Sequence, residues 1–131
     1  MSTETTSKAM RWTGWGLTGL FVLFWVMDLI MKLMSLPQVA ETMAQMGWPT
    51  KLSMTLGIIQ MLLLILYLVP RTSVLGAVLV TAYLGGAVAT HVRIGSPLFS
   101  HVLFGVYIGL FAWGGLWLRD AGLRALFPIR R

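Results

Sequence analysis

The residues able to do chemistry in this chain are few, and their spacing groups them. Asp28 and Lys32 stand four apart, acid first, inside a long apolar run. Gln60 and Tyr83 each interrupt another apolar run with a hydrogen-bonding group. His91 and Arg93 close the run at 74–90, Ile94-Gly95-Ser96-Pro97 breaks it, and His101 opens the next. Such a set can exchange a proton and hold a polar head: histidine titrates near neutral pH, and a carboxylate beside an ammonium can carry a proton or a hydrogen bond. Each member also has a plainer use. The Asp28–Lys32 order is the favourable one for a self-neutralising pair on a helix. Gln60 suits an interhelical hydrogen bond, and Arg93 suits a lipid phosphate or, facing the bundle, an anionic or carbonyl ligand. Two histidines with only Asp28 or Glu41 to complete them fall short of the usual donor count, so no metal is expected. No nucleophile–base pair suggests hydrolysis.

The elements that must position these residues follow from hydropathy. The apolar runs predict an all-α fold, a bundle of four transmembrane helices with spans at about 11–34, 50–69, 73–92 and 100–118. Each is long enough to cross a hydrocarbon layer of roughly 30 Å. The expected organisation is a disordered N-terminal tail at 1–9, a membrane domain at 10–119 and a basic C-terminal tail at 120–131. On the first span Gly14, Thr18, Phe21, Trp25, Asp28 and Lys32 share one face, which must point inward because charge is costly in lipid. Gly14-Trp15-Gly16-Leu17-Thr18-Gly19 fits G-x-G-x-x-G, but a dinucleotide site needs a strand before it. Inside an apolar helix these glycines read as close-packing positions. Between the first two spans, Ser35 as N-cap with Gln38 three residues on predicts a capping box. Leu36, Val39, Ala40, Met43 and Met46 give the short helix that follows an apolar face. It would lie on the membrane surface or cap the bundle. The second span carries a stripe of Ser53, Gly57, Gln60, Leu64 and Tyr67, and the fourth one of His101, Gly105, Gly109 and Ala112.

Composition agrees. Of 131 residues 57% are hydrophobic and 11% charged, with mean hydropathy +0.81, whereas a soluble domain carries about a quarter charged residues. The net charge of +6 comes from ten basic residues at run ends and in the tail, where they set membrane orientation. They form no nucleic-acid pattern. With no cysteine, the chain can make no disulfide or thiolate site. Lys8, Arg11, Arg71, Arg119, Arg124, Arg130 and Arg131 fall on one side of a four-span topology; Lys32, Lys51 and Arg93 fall on the other. Seven against three places both termini on the cytoplasmic side. Asp28, Lys32, Gln60, Tyr83, His91, Arg93 and His101 then gather around a cavity open to the other side, charged at its mouth and hydrogen-bonding at its base.

Leu66-Tyr67-Leu68-Val69-Pro70-Arg71-Thr72, Leu75-Gly76-Ala77, the stretch 83–93 and Trp113-Gly114-Gly115-Leu116-Trp117-Leu118-Arg119-Asp120 resemble the DoxX-like family of small bacterial membrane proteins. The resemblance runs from about residue 12 to residue 128. It implies a four-helix protein of the cytoplasmic membrane. Members commonly carry a glutamate where Gln60 stands, so a carboxylate role there does not transfer. The family takes its name from a subunit of a thiosulfate:quinone oxidoreductase, and a distant animal relative is an assembly factor for ion-channel receptors. Two functions therefore remain open. One is an accessory subunit of a membrane redox system that binds a quinone or other lipophile, with no covalently bound cofactor and electrons from elsewhere. The other is a non-enzymatic assembly or interaction factor, whose partners would be another membrane protein, a second copy of itself and lipid.

Overall fold

The computed structural model describes residues 5–130. These residues form helices and turns, with no strand among them. α1 spans Lys8–Leu33, α2 Pro37–Met46, α3 Ser53–Leu68, α4 Ser73–Arg93, α5 Phe104–Arg119 and α6 Ala121–Leu126. A 3-10 turn at Thr50–Leu52 leads into α3, another at Pro70–Thr72 into α4, and a π segment at Leu98–Val102 into α5. Counted with these lead-ins, α1, α3, α4 and α5 are long and apolar enough to cross a membrane, with mean hydropathy 1.5 to 1.8. Only 22–33% of each span is buried within the chain, so most of its apolar surface faces outward and needs lipid to cover it.

Local signals explain the ends. Ser7 accepts from Met10 N at 3.1 Å and starts α1 at Lys8. The helix thus begins inside the segment expected to be a tail, while residues 1–4 of that tail lie outside the described residues. The capping box expected at Ser35 and Gln38 does not form. Ser35 takes φ 52°, α2 starts at Pro37, and its cap position is Leu36 with no side-chain bond. Proline at the first helical position has no N–H to satisfy, which lessens the need for a side-chain acceptor. Gly47, at φ 79°, stops α2 in the left-handed conformation that glycine adopts without strain. Pro70 ends α3, since the residue before a proline is pushed out of the helical region, and Val69 has ψ 121°.

α1 packs on α5 and α3, and α4 packs on α3 and α5, closing a ring of four helices. Phe21, Trp25 and Leu29 of α1 meet Tyr67, Ala77, Val80, Ile108 and Ala112 in the core. Glycine permits two of these approaches. A Cβ on Gly76 would lie 2.3 Å from Tyr67 N, and one on Gly115 would lie 2.7 Å from Thr18 N. Of the N-terminal glycines, Gly14 does serve close packing, against Gly115 and Arg119, whereas Gly16 and Gly19 face open space.

The C-terminal segment, expected as a basic tail, instead turns back. Asp120 caps α6 by accepting from Leu123 N at 3.1 Å. Leu123 is buried, and the Arg124 guanidinium donates to Trp117 O, Leu118 O, Thr5 O and Thr6 Oγ1 at 2.8–3.0 Å. A guanidinium has five donors in a fixed fork, so one buried arginine can hold the end of α5 to the start of α1. Trp117 closes the turn by donating to Phe127 O at 2.7 Å.

Candidate functional site

One end of the ring carries α2; the other carries the start of α1 and α6. At the α2 end a cavity of about 280 Å³ lies between α1, α4 and α5, with α2 as one wall. Its lining is mostly carbon: Phe24, Trp25, Val39, Met43, Leu84 and Phe104 among others. Four polar residues break that lining together.

Lys32 is their hub. Its ammonium donates to Asp28 Oδ2 one turn back on α1, to Gln60 Oε1 on α3 at 2.8 Å and to Tyr83 Oη on α4 at 3.2 Å. Those three bonds use all three of its donors. Tyr83 Oη donates to Gln60 Oε1 at 3.0 Å, and Gln60 Nε2 donates to Asp28 Oδ2 at 3.0 Å. The loop of bonds is closed and joins three helices. Trp25 Nε1 donates to Gln60 O at 2.9 Å and its ring meets that of Tyr83 at 5.5 Å, which fixes the depth of α3 against α1. Gln60 is 1% exposed, the Lys32 side chain 15% and the Asp28 side chain 53%. The carboxylate is therefore the accessible member, and it is an acceptor. The pair is neutral overall, which lowers the cost of ionic groups in a bilayer.

The two histidines reach the same cavity from the loop between α4 and α5. Their ring centroids are 5.8 Å apart. His91 Nδ1 pairs with Ser96 Oγ at 2.9 Å and His101 Nδ1 with Ser100 Oγ at 2.7 Å. That leaves each Nε2 with no partner among the described residues. No three metal-ligating side chains converge among those residues. Arg93 stands apart from the cavity lining: its guanidinium donates to Met46 O at 2.5 Å and tethers the end of α2 to α4.

So six of the seven residues picked from sequence line one cavity, and the seventh holds its wall in place. The hydrophobic half of the lining was harder to foresee. Val39 and Met43 came from the apolar face of α2, but Phe24 and Phe104 had no signal beyond hydrophobicity. A second polar knot at the terminal end was missed as a unit. Tyr67 Oη donates to Ala112 O at 2.6 Å and pairs with Thr18 Oγ1 at 3.1 Å, and Arg119 reaches Thr18 Oγ1 at 3.0 Å while stacking on Trp15. Thr18 and Tyr67 each sat on a sequence stripe, but nothing marked the two stripes as partners.

Fold and site define a small four-helix membrane protein with a carbon-walled cavity on a polar floor. The family profile of DoxX-like proteins matches residues 16–115, so this chain belongs to the DoxX-like family. No curated protein matches it, nor does any solved structure.

Proposed function

We propose that this chain binds the head of a quinone-like lipophile in its cavity, as an accessory subunit of a membrane redox system. It would sit in a bacterial cytoplasmic membrane with both termini cytoplasmic and the cavity toward the other face, as the seven-to-three split of basic residues favours. One observation carries the reading: Asp28, Lys32, Gln60 and Tyr83 form a closed polar network that borders a mostly carbon-walled cavity. A quinone ring fits that chemistry. Its carbonyls need donors, which a free imidazole Nε2 of His91 or His101 supplies. The quinol hydroxyl needs an acceptor, which Asp28 supplies. The flat ring needs aromatic neighbours, which Trp25, Phe24 and Phe104 supply. Converting quinone to quinol takes two electrons and two protons. The chain's own groups account for proton handling, through Asp28 and the histidines, and a partner supplies the electrons.

The test is a titration of purified protein with decylubiquinone, read by tryptophan quenching, alongside mass spectrometry of lipophiles retained after gentle extraction. Saturable quenching that Tyr83→Phe and Gln60→Leu each weaken about tenfold supports the reading; unsaturable quenching, equal in all three proteins, rejects it. A second reading, an assembly or interaction factor acting on another membrane protein or on a second copy, has its own support. Gly16, Gly19, Gly85 and Gly86 face open space, and small outward residues let a partner helix approach. A membrane protein that co-purifies even with Tyr83→Phe, but is lost with Gly85→Leu, would favour it.

A further inference from the structure

The cavity is walled unevenly. Toward α2 it is lined by the buried Val39 and Met43 together with the exposed Gln38 and Thr42, and Arg93 ties down the end of that helix. Between α1 and α5 the wall is two phenylalanines. Phe24 and Phe104 both line the cavity, their rings meet edge to face at 6.0 Å, and they remain 39% and 47% exposed. The cause is a change along the α1–α5 seam. At its terminal end backbone meets backbone, since a Cβ on Gly115 would stand 2.8 Å from Gly14 O. Toward α2 the glycines give way to rings, so the seam is filled there by side chains that can turn. Both rings lie within membrane spans, where the surrounding solvent is lipid.

We propose that the cavity is reached from within the bilayer, between α1 and α5 past Phe24 and Phe104. Its ligand is then a single-headed lipid with an uncharged ring or carbonyl head inside and its apolar tail in that crevice. This rests on the cavity being a lipophile site. Volume and charge set the ligand class. At about 280 Å³ the space sits at the bottom of the range for small-molecule sites, roughly 300–1,000 Å³. It takes one ring, and a long tail must leave through the seam. The Asp28–Lys32 pair is already neutral, so the floor gives a phosphate head no net attraction. Asp28 follows Phe24 by one turn on the same face of α1, so a head passing the rings meets the exposed carboxylate of the network first.

Because the chain has no cysteine, one introduced thiol reports access. Ala87→Cys and, separately, Val88→Cys place it on the cavity lining. In proteoliposomes each is labelled with a charged methanethiosulfonate, confined to water, and with a pyrene maleimide that partitions into lipid. Rates are normalised to Glu41→Cys for the first reagent and Leu23→Cys for the second, both exposed positions. The expected result is labelling by the lipid-borne reagent at least tenfold faster than by the charged one. Adding Phe24→Ala and Phe104→Ala should speed the former several-fold and leave the latter unchanged. Equal rates for the two reagents, or no effect of the alanines, overturns the proposal. No quinone enters this assay, so a failed quinone titration with intact labelling rejects the redox reading and leaves the route standing.

Discussion

The two ends of this bundle use similar polar groups to opposite effect. At the terminal end, Thr18, Tyr67 and Arg119 lie where α1 and α5 touch, and Thr18 and Tyr67 are 1% exposed. Thr18 and Tyr67 spend their hydroxyls across helices, and Arg119 bonds both Thr18 and its own helix at Gly115 O. At the α2 end, Tyr83, Gln60, Lys32 and Asp28 are likewise bonded to one another, yet they border a cavity and leave a carboxylate open to it. A buried polar group must be satisfied wherever it sits, so satisfaction alone does not separate structure from function. Adjacent empty space does.

That contrast can be broken by substitution. The largest effect is expected at the closed end. Gly115→Ala drives a Cβ to 2.7 Å from Thr18 N, and overpacking of this kind costs about 3 kcal/mol. Thermal unfolding in detergent, followed by size exclusion, should show it as a large drop in midpoint. Next comes Lys32→Met, which leaves Asp28 without its cation. Removing one partner of a fully buried pair costs several kcal/mol, but Asp28 is half exposed, so about 1 kcal/mol is expected. Decylubiquinone affinity should fall about tenfold as well.

The sharpest comparison pairs the tyrosines. Tyr67→Phe removes two buried bonds and should cost about 1 kcal/mol with ligand affinity unchanged. Tyr83→Phe should cost no more than about 0.5 kcal/mol while weakening decylubiquinone binding. If both variants changed stability and affinity alike, the distinction between the two ends would fail. The smallest effect is at Gly19→Ala, where a methyl group meets nothing within 4 Å. Better helix propensity should raise stability by about 0.5 kcal/mol, which a thermal midpoint can resolve.

Much of the site was readable because it obeys helical spacing. Asp28 and Lys32 are one turn apart, and Gln60 and Tyr83 are isolated polar positions in apolar runs, so all four had to face inward. For Arg93, spacing gave its place at the end of a helix but not the reach of its long side chain, which extends to Met46 O on α2. The folded C-terminal segment was hidden for a similar reason. A basic run looks solvated until a set of carbonyls is brought to it, and those of Trp117, Leu118 and Thr5 come from two distant parts of the chain.

Hydropathy and period alone thus determined a membrane protein with four spanning helices, their approximate ends and the inward face of the first, second and fourth, because lipid leaves a polar group no alternative. Which inward faces meet, and whether the meeting leaves a void, was decided only by the tertiary structure. The reason is a matter of contact distance: glycines at Gly14 and Gly115 bring backbones together at one end, while Phe24 and Phe104 fill the seam with rings at the other. No local pattern distinguishes a glycine that will touch a helix from one, like Gly19, that will face lipid.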